Sequence, residues 1–306
     1  MAGFPAVPSG GADPPKTPPD HGGAPRPPVP PGPASGTGRN LPVAIGVGAV
    51  LGGLVFLTLL TVKATFLIYL GVAIAIALAE LAGAFAKRDI EIPVIPVAAG
   101  GAAIVTCMYW LGSRAVLAAL ALTVVVIFAW RLPGGPSGYV KDVTAGVFAV
   151  LYLPFLASFV VAMLAPADGP RRVLTFIIVT VCSDIGGYFA GITLGRTGRH
   201  LMAPVISPKK TWEGFAGSVI ACLVAGWLCV TLMLHGHAWQ GLLLGAAVVL
   251  AAVLGDLVES VMKRDLDIKD MGTLLPGHGG LLERLDSLLV VAPVAWLLLY
   301  LFIPAP

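Results

Sequence analysis

The sequence predicts an all-α, polytopic integral membrane protein with about nine transmembrane helices. Charged residues make up 11% of the chain and apolar residues 57%, whereas about a quarter of a soluble domain is charged. From Leu41 onward, apolar runs recur at lengths that suit roughly 30 Å of hydrocarbon. Composition and run length together therefore place the chain in the membrane class.

The N-terminal segment has a different character. Residues 1–40 are rich in Pro and Gly and carry few aliphatic side chains, so they cannot bury enough surface to fold. We expect a disordered tail over this range.

Nine apolar runs follow the tail. They divide the chain into N-terminal transmembrane helices over 41–170 and a C-terminal region over 171–306, which carries two polar loops at 194–213 and 258–286. Spans are expected near 42–61, 65–86, 92–111, 115–130, 143–165, 173–193, 214–234, 239–257 and 287–304.

The distribution of Lys and Arg predicts the orientation. With nine spans, fifteen of these residues fall on the side of the tail and four on the other side, and positive charge accumulates on the cytoplasmic side. We therefore expect the N-terminus and both polar loops in the cytoplasm of a plasma (inner) membrane, with the C-terminus outside. The net charge of +3 is small and the basic residues are not clustered, which argues against a nucleic-acid partner.

The densest polar run extends from Gly255 to Ser287. In a helix, Asp256, Glu259, Ser260 and Lys263 share one face. A glycine-rich turn over 277–280 follows, and two acids three residues apart begin the next apolar run. Acids that hold divalent cations and bases that hold phosphates are what chemistry on a polyphosphate requires. The alternative is a plain charged loop, which has no reason to carry acids into its flanking helices.

A second polar cluster lies upstream. The run Ser207-Pro208-Lys209-Lys210 is typical of a helix start, with Ser207 as N-cap and Pro208 at the first helical position. Two lysines at the positive end of a helix dipole favour a docked anion. The alternative is a positive anchor at the cytoplasmic boundary.

Two acids lie within apolar runs. Asp184 falls well inside the sixth predicted span, where a carboxylate costs about 2.5–3.5 kcal/mol on insertion scales and must face a polar interior. Glu80 lies in the second span. It is expected either to belong to the site or to reach the cytoplasmic boundary with its side chain.

These motifs closely resemble the signature of phosphatidate cytidylyltransferases, also called CDP-diacylglycerol synthases. The resemblance covers roughly 173–306, and the family usually has Asp where this chain has Glu283. The matching residues are Asp184-x-x-Gly187-Tyr188-Phe189-x-Gly191, Ser207-Pro208-Lys209-Lys210-Thr211-x-Glu213-Gly214 and Ser260-x-x-Lys263-Arg264-x4-Lys269-Asp270-x5-Pro276-x-His278-Gly279-Gly280-x-x-Glu283-Arg284-x-Asp286.

The resemblance implies that CTP and phosphatidate react to give CDP-diacylglycerol and pyrophosphate for phospholipid synthesis. It also implies Mg²⁺, with a second cation and a homodimer left open. With the residue chemistry, it gives three sets: catalytic Asp256, Asp286, Lys209, Lys210, Lys263 and Arg264; substrate-binding Asp184, Ser207, Lys269, Pro276, His278, Gly279, Gly280 and Arg284; and metal-binding Asp256, Asp270, Glu283 and Asp286.

Two other functions stay open at this point. The nearest is a CTP-dependent transferase that acts on another membrane lipid, since the motifs separate acceptors poorly. The other is an ion-coupled membrane transporter, because buried acids and glycine-broken helices also suit ion pathways. A transporter predicts a site near the midplane, whereas the polar residues here collect on the predicted cytoplasmic side.

Overall fold

The computed structural model describes residues 41–195, 200–204, 206–272, 274 and 279–304. Over these ranges the chain is almost entirely helical, apart from one short hairpin. The elements are α1 Leu41–Leu60, α2 Lys63–Ala86, α3 Val94–Trp110, α4 Ser113–Arg131, α5 Tyr139–Val150, α6 Leu156–Leu164, α7 Gly169–Thr193, β1 Leu201–Ala203, β2 Ser207–Thr211, α8 Trp212–Met233, α9 Ala238–Asp265 and α10 Leu282–Phe302.

The helices confirm the all-α, polytopic membrane architecture. Within the described residues, seven helices are long and apolar enough to cross a membrane. Helix α3 is apolar but shorter, with 17 residues, and α1 is a further helix of 20 residues. The number nine stays a prediction. The seven are 63–86, 113–134, 139–164, 169–193, 212–233, 238–265 and 282–302.

The span over 139–164 contains one irregularity. A π turn, Leu151–Phe155, joins α5 to α6 without ending the helix. Pro154 lies inside this turn and has no N–H to donate, so regular helical bonding is interrupted at this point.

The predicted helix start at Ser207 is wrong. Residues Ser207–Thr211 form β2, which pairs antiparallel with β1, with Leu201 opposite Thr211. Helix α8 begins only at Trp212, and the Thr211 hydroxyl caps it by accepting a hydrogen bond from the N–H of Gly214 at 3.1 Å. Thr211 is itself a favourable N-cap, and strand pairing holds the preceding residues in an extended conformation.

Two helices extend further than the sequence predicts. Helix α9 continues to Asp265 and α10 begins at Leu282, so the connection between them is shorter than 258–286. The polar residues of α9 therefore lie on a continuous helix. This extension fixes their spacing relative to one another.

Close packing between α9 and α10 depends on Gly255. A Cβ at this position would lie 2.7 Å from the carbonyl oxygen of Asp286 and 2.9 Å from the Cα of Ser287. One turn away, the Ser287 hydroxyl donates to the carbonyl of Ala252 at 3.2 Å. A small residue thus lets the two backbones approach, at the level where both helices carry acids.

Candidate active site

A cavity of about 440 Å³ opens between the helices of the C-terminal region. Its wall is built from five elements plus one residue of β1, so it depends on the fold and not on one loop. The lining residues are Ser183, Asp184, Gly187, Tyr188, Gly191, Met202, Lys210, Thr211, Gly214, Phe215, Ser218, Ala252, Val253, Asp256, Glu283, Arg284, Asp286 and Ser287.

Three carboxylates meet beside this cavity, and two of them, Asp256 and Asp286, line it. Each of Asp256, Glu259 and Asp286 offers one oxygen, and these oxygens all lie within 4.8 Å of one another. Asp256 and Glu259 lie one turn apart on α9 and so share a face, while Asp286 comes from α10. Glu259 and Asp286 are buried, with 2% and 6% of their surface exposed. We call these three residues the acid trio.

Two lysines neutralise the acids. Lys210 of β2 forms an ion pair with Asp256 at the cavity. Lys263 lies between two carboxylates, with its Nζ 2.9 Å from Glu259 and 3.3 Å from Glu283. Because a buried charge is unfavourable unless it is paired, these lysines stabilise the negative charge that the helices bring together.

Glu283 has a different environment from the acid trio. One of its oxygens accepts from Lys263 and from the N–H of Met271 at 3.3 Å, and the other accepts from the N–H of Gly280 at 3.2 Å. The side chain lines the cavity, but its carboxylate is bonded to the connection that precedes α10. Glu283 therefore fixes this connection against α9.

Glu80 holds the same region from α2. Its two carboxylate oxygens accept from the N–H of Leu281 at 3.0 Å and of Leu282 at 2.8 Å, at the start of α10. A Cβ on Gly280 would lie 2.6 Å from a Glu80 oxygen, so a glycine is needed beside the carboxylate. The sequence predicted either a site residue or a side chain at the membrane boundary, and both stay predictions; the structure shows that Glu80 caps α10.

Two further predicted residues line the cavity, and others lie on the elements next to it. Asp184 and Arg284 line it, and Ser207 begins β2. Gly279 has a φ of +81°, a conformation that glycine adopts easily. The backbone of Lys209 belongs to β2, although its side chain lies outside the described residues.

Seven described residues of the predicted site do not line the cavity: Ser207, Lys263, Arg264, Lys269, Asp270, Gly279 and Gly280. Lys269 and Asp270 are exposed in the connection after α9. Arg264 is also exposed, and its Nε donates to the carbonyl of Ile206 at 3.5 Å, which links α9 to the hairpin. Ser207 lies on the same hairpin but outside the cavity wall. Pro276 and His278 lie outside the described residues.

The acid trio suits a hard divalent cation. Carboxylate oxygens are the protein ligands that Mg²⁺ and Ca²⁺ prefer, and three of them converge here. Moreover, the Oε1 of Glu259 is buried and accepts no hydrogen bond from any described residue. The sequence placed Glu259 on the polar face of α9 but not among the metal ligands. Only its helical spacing to Asp256 could have indicated it.

Comparison with known proteins identifies the family. The profile described as the Cytidylyltransferase family matches residues 43–302. The chain belongs to this family. The match includes every residue of the cavity wall as well as Glu80, and the family resemblance drawn from the motifs is confirmed. This cytidylyltransferase is therefore a nucleotidyltransferase enzyme of a membrane-spanning type.

Individual relatives agree with the family. The chain is 41% identical over 280 residues to a phosphatidate cytidylyltransferase of Mycobacterium leprae, covering 86% of this chain and 89% of that protein. A phosphatidate cytidylyltransferase of Mycobacterium tuberculosis is 40% identical over 280 residues, covering 87% and 84%. One of Synechocystis is 37% identical over 163 residues, covering 50% of this chain and 53% of that protein.

Proposed function

We propose that this cytidylyltransferase transfers a cytidylyl group from CTP to phosphatidate, giving CDP-diacylglycerol and pyrophosphate. The observation that carries the proposal is the acid trio, two of whose members line a cavity together with Lys210. Such a cavity can receive a charged nucleotide while a lipid stays in the bilayer. The names of the relatives from Mycobacterium support phosphatidate as the lipid.

The reaction needs little covalent chemistry from the protein. A phosphate oxygen of phosphatidate attacks the α-phosphorus of CTP, and the bond from that phosphorus to the bridging oxygen breaks in line. Pyrophosphate leaves with the bonding electrons. A phosphate monoester has its second pKa near about 6, so the attacking oxygen is already ionised at neutral pH and no general base is required. Catalysis then depends on position and on charge neutralisation.

Asp256, Glu259 and Asp286 are the residues that would hold Mg²⁺. We favour them over the predicted ligands Asp270 and Glu283, because Asp270 is exposed and Glu283 is bonded to Lys263 and to two backbone N–H groups. When bound, Mg²⁺ neutralises charge on the phosphates and orients them. The acids fix the position of that charge relative to the cavity.

Basic side chains supply the remaining positive charge. Lys210 lines the cavity and reaches Asp256, so it is placed to exchange this carboxylate for a phosphate oxygen when nucleotide enters. Arg284 also lines the cavity, next to Glu283 on α10. Together they would orient the triphosphate and the lipid headgroup, and Asp184 lines the same cavity from α7.

The membrane orientation predicted from the Lys and Arg residues suits a reaction between CTP and a lipid. If the cavity opens to the cytoplasm of the plasma membrane, as the Lys and Arg distribution predicts, CTP enters from the compartment that holds nucleotides. The acyl chains of the lipid then remain among the helices. The reaction would join a soluble and a membrane substrate at one boundary.

Product analysis with several acceptors tests this function. The protein, purified in detergent, is given CTP and Mg²⁺ with phosphatidate, with a polyprenyl phosphate or with no lipid, and the lipid products are identified by mass spectrometry. We expect CDP-diacylglycerol with phosphatidate alone. A CDP-linked product with the polyprenyl phosphate alone would show that this lipid, and not phosphatidate, is the substrate. If folded protein gives no product with either lipid, the proposal is overturned.

A further inference from the structure

Helices α2 and α9 end in the same way. Asp89 follows α2 and Asp267 follows α9, and both have a left-handed backbone, with φ of 55° and 54°. In each case the N–H of the next residue, an isoleucine, returns to the carbonyl five residues earlier, which for α9 is that of Lys263 at 2.9 Å. This arrangement is a common way to stop a helix, and Asp is among the few residues other than glycine that adopt the left-handed position readily. Each of the two helices therefore ends in a compact, hydrogen-bonded turn.

Arg88 connects these two turns. Its Nε donates to the carbonyl of Leu266 at 3.1 Å, and Leu266 is the buried C-cap of α9. Carbonyls at the end of a helix have no partner within the helix, and a cation is favourable there. Arg88 also lies 3.7 Å from Asp267, but both side chains of this ion pair are exposed, so the pair should contribute little. The bond to the Leu266 carbonyl is therefore the contact that fixes α9 to the end of α2.

The segment that carries Arg88 is itself anchored. In the connection after α2, the N–H of Glu91 donates to Oδ1 of Asp142 on α5 at 2.8 Å. Asp142 is buried, and its other carboxylate oxygen accepts from Arg131 of α4 at 2.8 Å. Because this connection is held against α4 and α5, a bond from Arg88 can restrain the end of α9.

Helix α2 and its C-terminal turn hold both ends of the segment that joins α9 to α10. Glu80 accepts from the N–H groups of Leu281 and Leu282 at the α10 end, and Arg88 holds Leu266 at the α9 end. The two side chains have the charges that suit these positions, since an acid is favourable at the start of a helix and a base at its end. The acids of the site lie on these two helices, so both contacts affect their relative position.

The contact at α9 also concerns the charges of the site. The turn that Arg88 holds is closed by the hydrogen bond to the carbonyl of Lys263, whose Nζ lies 2.9 Å from Glu259 and 3.3 Å from Glu283. A shift of this turn would move the lysine that neutralises the buried carboxylate of Glu259. The site would then change although all of its side chains are still present.

We propose that Arg88 is a positioning residue of the active site, which acts through the last turn of α9 and keeps Lys263 in place beside Glu259. This role deepens the proposed function and rests on it, because cytidylyl transfer is the activity that the position of Lys263 affects. Arg88 lies outside the motifs at 184–191, 207–214 and 260–286, so the N-terminal helices take part in the reaction through it.

The kinetic test compares Arg88→Met with Lys87→Met, which removes the neighbouring cation at an exposed position. CDP-diacylglycerol formation from CTP and phosphatidate is measured at a temperature where both variants are fully folded. We expect Arg88→Met to lower kcat about 10-fold, because small misplacements of catalytic groups slow a reaction strongly. The KM values should stay unchanged, since neither Arg88 nor Lys263 lines the cavity. Lys87→Met should match wild type.

Two further variants separate the contacts of Arg88. A lysine can still donate to the carbonyl of Leu266, so Arg88→Lys should recover most of the lost kcat. Asp267→Asn removes only the ion pair and should match wild type. A loss in Asp267→Asn as large as that in Arg88→Met, or no recovery in Arg88→Lys, would overturn a role through the carbonyl.

Amide hydrogen exchange followed by mass spectrometry locates the effect without any substrate. Exchange over 263–270 should be faster in Arg88→Met than in Lys87→Met, because the last turn of α9 has lost its restraint. Wild-type kcat in Arg88→Met, or a lower unfolding temperature with kcat unchanged, would overturn the proposal. If the wild-type protein forms no CDP-diacylglycerol, the proposed function fails; if exchange over 263–270 is unchanged in Arg88→Met, the positioning role fails.

Discussion

Glu80 and Leu282 join the two halves of the protein. The carboxylate of Glu80, on α2, accepts the backbone N–H of Leu282 at 2.8 Å, at the first residue of α10. Asp286 follows one turn later, so a residue outside the recognised motifs fixes the helix that carries an acid of the site. An acceptor at a helix start satisfies donors that the helix itself cannot pair.

The first prediction concerns this cap. Glu80→Gln retains the volume but replaces one acceptor oxygen with a donor, which opposes a backbone N–H. We expect a loss of about 0.5–2 kcal/mol in the free energy of unfolding, in the range measured for helix caps, together with reduced turnover. Thermal unfolding and activity assays check both. Glu91→Gln is the control, because Glu91 is an exposed glutamate in the connection between α2 and α3. Equal losses in the two variants would contradict a capping role for Glu80.

The second prediction concerns Lys263. Lys263→Met leaves Glu259 and Glu283 without their shared cation, while Glu259 stays buried. Removal of one partner from a buried ion pair costs roughly 3 kcal/mol or more, so the variant should unfold at lower temperature and lose activity. Lys87→Met, at an exposed position, should behave as wild type. A stable, active Lys263→Met protein would show that the acids do not need this lysine.

The third prediction concerns the distance between α9 and α10. Gly255→Val places a side chain against the backbone of Asp286 and Ser287 and should separate the acids that the two helices contribute. Overpacking of this kind lowers the free energy of unfolding by about 1–3 kcal/mol. Activity should fall even at temperatures where the variant is fully folded, because the acid trio is displaced. Gly71→Val on α2 is the matched control, since its Cβ would meet nothing within 4 Å. Similar activity in the two variants would refute the spacing argument.

The fourth prediction concerns metal removal. Treatment with EDTA should abolish turnover and lower the unfolding temperature, because the converging carboxylates of the acid trio then repel one another. Added Mg²⁺ should restore turnover and the unfolding temperature. At a Mg²⁺ concentration of 100 Kd, binding should raise the free energy of unfolding by about 2.7 kcal/mol. Full activity in EDTA would contradict a cation site at the acid trio.

Much of this architecture follows from the sequence. Apolar runs of bilayer length predict membrane helices because backbone groups in hydrocarbon must be bonded within the segment. The spacing of Asp256 and Glu259 predicts a shared face, since a helix repeats every 3.6 residues. The motifs around Lys263 and Asp286 predict the family, which the comparisons confirm.

Other features depend on contacts between distant segments. The strand at Ser207–Thr211 exists because it pairs with Leu201–Ala203, and its Ser-Pro start is equally typical of a helix. The cap by Glu80 joins positions about 200 residues apart, which no local pattern reveals.

The most direct test of the account is pyrophosphate release by the purified protein with CTP, Mg²⁺ and phosphatidate, compared with Asp286→Asn and Asp267→Asn. Asp267 is the matched control, since its side chain is 90% exposed. We predict release that requires both substrates, that falls about 100-fold or more in Asp286→Asn, and that is unchanged in Asp267→Asn. Release without phosphatidate, or wild-type release from folded Asp286→Asn protein, would contradict a cytidylyl transfer centred on the acid trio.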